Sequence, residues 1–130
     1  MTGPRDLAAL TRLTGAVFAT RQARMGILRQ AEQTIRDKLS SLDLARKARA
    51  QSLTEADPAL QAGADLLWQS WIELRRAALN SELSQILVAQ EAARAALGQA
   101  FGRDQATLGL CTQAAAARLK VKARRDDFTS

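Results

Sequence analysis

The chain has 130 residues and a net charge of +6, contains no histidine, and has aromatic side chains at only 4% of its positions. The absence of histidine removes the commonest general base and metal ligand, and the single Cys111 excludes an internal disulfide and a multi-thiolate metal site. The sequence also lacks a glycine-rich phosphate loop and a carboxylate pair on one helix face. We therefore predict a non-enzymatic protein that binds no cofactor, no metal and no small-molecule substrate.

The sequence also bears on localisation. No stretch approaches the about 18 to 20 uncharged apolar residues that a membrane-spanning helix needs, and the N-terminus lacks the apolar block of a secretory signal. We expect a cytoplasmic protein. Cys111 falls among apolar positions, so we expect a small buried side chain there rather than a reactive thiol.

Two long runs rich in Ala, Leu and Arg show helical spacing, from Pro4 to about Leu53 and from about Leu66 to Arg125. Residues 54–63 separate them. Within this breaker segment Asp57 can cap a helix, Pro58 suits a first helical position, and Gly63 tolerates a turn. The sequence predicts one elongated all-α domain, an antiparallel coiled-coil hairpin of two long helices. Its turn lies at about residues 54–62, and its second helix starts at residue 58 or 64.

Each run carries an apolar stripe that the other can cover, with spacings typical of a coiled coil interrupted by stutters. In the first run the stripe comprises Leu10, Val17, Leu28, Ile35, Leu42 and Leu53, with Leu13, Met25, Ala31, Leu39 and Ala45 between them. In the second run it comprises Ile72, Leu79, Ile86 and Ala93, with Leu83, Leu97, Ala100, Phe101, Leu108, Cys111, Ala115 and Leu119. We expect these stripes to face each other as one seam.

Two turn geometries fit this seam, and they differ by one heptad in register. A tight turn ending at the Asp57 cap pairs Leu28 with Leu83, and Leu10 with Phe101. A turn extending to Gly63 pairs Ile35 with Leu83, Leu39 with Leu79, and Leu10 with Leu108. Because a glycine inside a helix costs only about 1 kcal/mol relative to alanine, the tight turn is the favoured prediction. In both registers the end of the second helix extends past the N-terminus.

Five glycines interrupt the helical pattern: Gly15, Gly26, Gly98, Gly102 and Gly109. The favoured interpretation is that they let the two helices approach closely beside small alanines. The alternative is that they soften the end of the hairpin that holds both termini, since each glycine costs about 0.8 to 1 kcal/mol of helix stability.

Charge is distributed unevenly along the chain. Residues 1–50 carry ten basic and four acidic groups, residues 51–104 carry four and seven, and residues 105–130 carry five and two. In a hairpin the two termini share one end, which is therefore strongly basic. Near the turn we expect acidic residues of the second helix to complement cations of the first.

One stretch after the breaker segment carries more apolar surface than one partner helix can cover. Trp68, Ile72 and Leu79 belong to the seam. A second stripe, centred about 110° away around the helix, comprises Leu60, Leu67, Trp71 and Leu74. We predict a turn-proximal partner-binding patch there, because aromatic anchors dominate protein interfaces. The alternatives are that the turn or a second copy of the chain covers the stripe.

The C-terminal segment from Arg118 to Arg125 is strongly basic. Its predicted partner-binding tip comprises Lys120, Lys122, Arg124 and Arg125. The default interpretation of the segment is a solvated helix end whose cations complement the helix dipole. Nucleic-acid binding is disfavoured, because the cations alternate with Leu119 and Val121 and no interleaved aromatic residue or groove-reading motif accompanies them.

Three zones give the chain a family resemblance. Trp71-Ile-Glu-Leu-Arg-Arg76 follows the turn, Glu91-Ala-Ala-Arg-Ala-Ala-Leu97 lies mid-helix, and the basic stretch Arg118 to Arg125 closes the second helix. With the predicted hairpin, they resemble the FliJ/YscO type of stalk protein in flagellar and type III secretion export ATPases. The Tyr residues often found near that family's turn are absent.

The resemblance implies a bacterial, non-enzymatic stalk or escort protein of flagellar biogenesis or type III protein transport. Its basic terminal end would sit in the ring of the export ATPase. Its turn-proximal region would contact the export gate or the chaperones that escort substrates. The competing hypothesis is a structural hairpin that associates with itself through the stripe containing Trp71.

Overall fold

The structure is a computed structural model that describes residues 3–52 and 58–129, with side chains except at residues 59–61. Helix α1 spans Pro4–Ser52 and helix α2 spans Pro58–Thr129. The second helix thus begins at the earlier of the two predicted positions and continues past Arg125. Leu53 and the Asp57 cap lie outside the described residues.

The predicted all-α helical hairpin is confirmed, because α1 and α2 pack against each other and the described residues form no strand. Contacts group the chain into two units. The terminal unit comprises Met1–Met25 with Ala92–Ser130, and the turn unit comprises Gly26–Glu91.

The core of the turn unit is apolar. Ile72 and Leu79 of α2 are 0% and 1% exposed, and they are the largest fully buried side chains among the described residues. Leu28 and Ile35 are the buried residues that α1 contributes. All four were predicted on the seam, and burying each such side chain stabilises the fold by about 1.5 to 3 kcal/mol.

The terminal unit has a more polar seam. On α1 the buried Met25 is preceded by partly covered side chains at alternating spacings of four and three residues: Leu7, Thr11, Thr14 and Phe18. The Thr11 hydroxyl lies 3.2 Å from Cys111 Sγ, and the rings of Phe18 and Phe101 are tilted with centroids 5.7 Å apart. On α2 the buried residues of this unit are Ala100 and Thr107.

Several residues predicted on the seam are exposed beside it. Leu10, Leu13 and Val17 are 36%, 61% and 37% exposed, so their seam assignment was wrong. Regular coiled-coil spacing counted back from Met25 reaches Phe18, Thr14, Thr11 and Leu7, because no stutter intervenes. The same error affects three residues of α2, Leu108, Ala115 and Leu119, which are exposed. Phe101 is half exposed but contacts Phe18 of α1 with its ring.

Polar residues set the register of the seam. Arg76, Gln90 and Asp104 occupy equivalent heptad positions of α2, fourteen residues apart. Arg76 pairs with Asp43. Gln90 donates to Glu32 Oε1 at 2.7 Å and to the Leu28 carbonyl at 3.4 Å, and the Thr14 hydroxyl donates to Asp104 at 3.0 Å.

These pairs contradict the favoured tight-turn register and match the register predicted for the longer turn, although α2 already begins at Pro58 and Gly63 is helical. In the tight-turn register Arg76 would face Ile35 and Asp104 would face Leu7. Each charge would then lie against an apolar side chain without a partner, which is strongly unfavourable. The observed register instead gives Arg76, Gln90 and Asp104 each a hydrogen-bonding partner on α1.

Where α1 ends, a cation covers the first tryptophan of α2. The guanidinium carbon of Arg49 lies 4.6 Å from the Trp68 ring centroid, which is cation–π geometry. Arg49 Nε lies 3.4 Å from Asp65 Oδ1, although the two buried atoms do not meet the angle of a hydrogen bond. The expected charge complementarity near the turn is therefore partly present.

Most of the glycines do not mediate close packing within this chain. A Cβ built at Gly98, Gly102 or Gly109 meets no other atom within 4 Å, and the same holds for Gly26. The favoured interpretation of these four residues was therefore wrong. They lie in helix with open space beside them.

A disulfide tests the register. Because Thr11 Oγ1 and Cys111 Sγ are in contact, Thr11→Cys should form a disulfide with the native thiol on mild oxidation. Closing a loop of about 100 residues should raise the free energy of unfolding by up to about 4 to 5 kcal/mol. Thiol titration should find no free thiol in oxidised Thr11→Cys. The matched control Thr20→Cys, at an exposed position of the same helix, should retain two. Two free thiols in Thr11→Cys under the same conditions would contradict the register.

Glu32 makes the seam sensitive to acid. Hydrogen bonds from Arg36, at 2.7 Å, and from Gln90 lower the pKa of Glu32 below its ordinary value. The ionised Glu32 carboxylate therefore contributes its full stabilisation of the folded state above the pKa that glutamate has in the unfolded chain, about 4.3. This contribution is lost as the pH falls through the lower pKa that Glu32 has in the folded state. Thermal melting should show wild type more stable than Glu32→Gln at about pH 7, with the difference shrinking below about pH 4.

Glu73→Gln, which removes an exposed carboxylate from α2, is the control for the acid experiment. Its melting midpoint should follow that of wild type at both ends of the titration. A difference between wild type and Glu32→Gln that stays constant down to about pH 3 would show that ionisation of Glu32 does not stabilise the seam.

Candidate protein-binding surfaces

The turn-proximal patch is exposed on α2. Leu67, Trp71 and Leu74 are 76%, 56% and 73% exposed, while the neighbouring Ile72 is fully buried. The side chain of Leu60, the fourth predicted member, lies outside the described residues. Consecutive residues of a helix project about 100° apart. Trp71 and Ile72 therefore lie on different faces of α2 although they are adjacent in sequence. No residue of the described part of the chain covers Leu67, Trp71 and Leu74 enough to bury them.

The uncharged face continues beyond the predicted residues within the turn unit. Counting on from Leu74 in alternating steps of four and three residues reaches Ala78, Ser81, Gln85 and Val88, and all four are exposed. An outward face of a coiled coil usually carries charged residues, whereas this one carries none from Leu67 to Val88. Analysis of the sequence missed this extension, which strict heptad counting from Trp71 would have shown.

The basic tip lies on a single helix that is exposed on all sides. Every described residue from Ala115 to Thr129 is exposed. Helical spacing places Lys122 and Arg125 on one face of α2 and Lys120 and Arg124 on the opposite face. Arg118 joins the first pair and lines a shallow recess with Val121, Lys122 and Arg125, although only its segment was singled out from the sequence.

The helix dipole does not account for these cations. Its interaction with side-chain charges falls off within the last turn of a helix. Because α2 continues to Thr129, its last turn contains no basic residue, and Asp126 and Asp127 follow the cations directly. The four cations of the tip therefore lie upstream of the position where they would stabilise the end of the helix.

The chain matches no protein-family model, no curated protein and no solved structure. Within residues 3–52 and 58–129, neither helix contains a stretch that is long and apolar enough to cross a membrane.

Two adjacent substitutions test whether the turn-proximal patch is surface or core. Ile72→Ala should lower the free energy of unfolding by about 2 to 5 kcal/mol, because it leaves a cavity in the seam. Trp71→Ala should change it by less than about 1 kcal/mol, because Trp71 is more than half exposed. Denaturant unfolding monitored by circular dichroism measures both, and dilute protein keeps self-association out of the comparison.

If Trp71→Ala lowered the free energy of unfolding as much as Ile72→Ala does, the patch would not be a free surface. Repeating the experiment at tenfold higher protein concentration would then show whether a second copy covers Trp71.

Proposed function

We propose that this protein is a non-enzymatic coiled-coil stalk or escort component of a flagellar or type III protein-export ATPase complex. The basic tip binds the ATPase ring, and the turn-proximal patch binds the export gate or an escorted chaperone. In this role the protein couples partners by contact and carries out no chemistry of its own. It works in the bacterial cytoplasm and reaches the membrane only through its partners.

The arrangement of charge on the tip is the observation that supports this proposal most. Cations on opposite faces of one exposed helix can be neutralised together only by a partner that surrounds the helix or contacts it from two sides. A ring of subunits with an acidic inner surface meets that requirement, whereas a flat acidic surface reaches one face. The sequence resemblance to stalk proteins of the FliJ/YscO type independently suggests the same kind of partner.

The turn-proximal patch supports a second contact with a different chemistry. Trp71 and its two exposed leucine neighbours offer an apolar anchor, and the tip offers charge. Interfaces built around a buried aromatic residue depend on packing. Mutations in them mainly change the dissociation rate of the complex. Binding at the patch should therefore be much less sensitive to salt than binding at the tip.

A structural hairpin that associates with itself is the second candidate function. The uncharged face from Leu67 to Val88 favours it, because a second copy could bury the same face of α2 in a symmetric pair. Sedimentation at micromolar concentration distinguishes the candidates. Self-association is supported if the protein forms a tight dimer that does not bind the export ATPase and that the substitution Trp71→Ala dissociates.

Neutralising the tip should weaken ATPase binding without unfolding the protein. We expect glutamine at Lys120, Lys122, Arg124 and Arg125 to lower affinity for a hexameric export ATPase by at least about tenfold at low salt. The loss should shrink as ionic strength rises and screens the wild-type attraction. Titration of labelled protein with the ATPase at several salt concentrations measures this effect, and thermal melting checks the fold.

A variant with the same change in net charge provides the control. It places glutamine at four exposed cations of α1: Arg12, Arg24, Lys38 and Lys47. Trp71→Ala provides a second control and should also keep ATPase affinity. Equal weakening by both charge variants would mean that net charge alone attracts the ATPase, which would overturn the assignment of the tip.

A further inference from the structure

In the terminal unit, two threonines of α1 occupy the seam while three apolar side chains beside them are exposed. Thr11 and Thr14 lie at covered positions, and their hydroxyls contact Cys111 and Asp104 of α2. Leu13 is one of three neighbouring apolar residues left exposed beside them. A two-helix coiled coil stabilises itself by the opposite arrangement, with leucine inside and threonine outside. The inversion indicates that the exposed side chains pack against something other than α2.

The exposed side chains form a groove between α1 and α2 within the terminal unit. We call it the terminal groove; it is lined by Leu10, Leu13, Thr14, Val17, Ala100 and Arg103. The small Ala100 forms its floor, and Val17 also lines an adjoining recess with Arg21. Leu110, one heptad after Arg103 on the same face of α2, is 49% exposed.

The shape and spacing of the terminal groove fit one more helix. Leu10, Leu13 and Val17 follow steps of three and four residues, which is the spacing that one helix offers to the ridges of another. A groove with a small residue as its floor and longer apolar side chains as its walls accepts the apolar stripe of an amphipathic helix.

The charges around the terminal groove indicate which kind of partner helix would bind there. Its charged lining residues are Arg103 and, in the adjoining recess, Arg21, and no carboxylate lines either recess in the part of the chain that the structure describes. Neither guanidinium pairs with a described acidic side chain. Docking two copies groove to groove would bring these cations together, which disfavours a second copy as the occupant.

We infer that the terminal groove binds an acidic amphipathic helix of a partner protein, forming a local three-helix bundle. Apolar side chains of that helix pack against Leu13 and Val17, and its flanking carboxylates pair with Arg103 and Arg21. The inference does not rest on the proposed export role, because it uses neither the basic tip nor the patch around Trp71.

Two synthetic peptides test the charge requirement. Each contains about 21 residues, with leucine at the two core positions of every heptad; one carries glutamate and the other lysine at the flanking positions. Fluorescence anisotropy with the full chain should show the acidic peptide binding at least about tenfold more tightly. Arg103→Glu should weaken the acidic peptide and strengthen the basic one. Equal affinity of wild type for both peptides, or an unchanged ratio of the two affinities in Arg103→Glu, would overturn the inference.

A pair of leucine variants locates the site. Leu13→Gln should weaken binding of the acidic peptide about tenfold, because a buried leucine contact is lost. Leu44→Gln is the matched control, since Leu44 lies on the same helix in the turn unit and is 67% exposed, close to the 61% of Leu13. It should bind as wild type does. Equal effects of the two substitutions would refute binding in the terminal groove.

Methyl spectra and sedimentation complete the test with the same samples. The acidic peptide should shift the methyl signals of Leu10, Leu13 and Val17 and leave those of Leu44 unchanged. Shifts confined to the turn unit would place the peptide elsewhere and contradict the inference. A dimer of the free protein that Leu13→Gln dissociates would identify a second copy as the occupant and would likewise overturn it.

Discussion

Hydrogen-bonded polar side chains within the seam are the constraint on which the rest of the hairpin depends. Apolar side chains at regular heptad positions pack almost equally well when one helix slides by seven residues, so they do not select a register by themselves. Arg76, Gln90 and Asp104 do, because each finds its partner in the observed register. Sliding by a heptad would leave the buried amide of Gln90 and the partly covered charges of Arg76 and Asp104 without these partners, which is destabilising. Specificity in this fold therefore comes from the least apolar members of the seam.

The same constraint decides which apolar residues remain outside. Once the register and regular spacing place Thr11 and Thr14 on the seam, Leu10, Leu13 and Val17 must lie at its side. On α2, burial of Ile72 likewise turns Trp71 outward. The exposed apolar surfaces are thus direct consequences of how the helices pair. The surface around Trp71 and the surface around Leu13 differ in their neighbouring charges.

Local signals predicted the helices and the apolar centre correctly. Periodicity identified both helices, Pro58 marked the start of α2, and the buried pair Ile72 and Leu79 followed from their seven-residue spacing. The register was wrong because it was chosen from the turn residues alone, and the seam assignment was wrong because threonines were not counted as seam residues and apolar residues beside them were chosen instead. Periodicity can locate such residues, but only their partners on the other helix show that burial is tolerated. Counting strict heptads along α2 would have placed Arg76, Gln90 and Asp104 on the seam.

The two units differ in how much stability they can draw from their own seams. The turn unit buries Ile72, Leu79, Leu28 and Ile35 between its helices. The seam of the terminal unit buries Met25 and Ala100 but also includes Thr11, Thr14, Asp104 and Thr107, which contribute less apolar burial. A helix that binds only the folded terminal unit stabilises it by mass action, and the apolar contacts it makes supplement those that α2 does not provide. The inferred binding of such a helix would therefore also stabilise the local fold of the terminal unit. Segments with weak internal packing are also the ones that open most readily, so a partner has most to stabilise there.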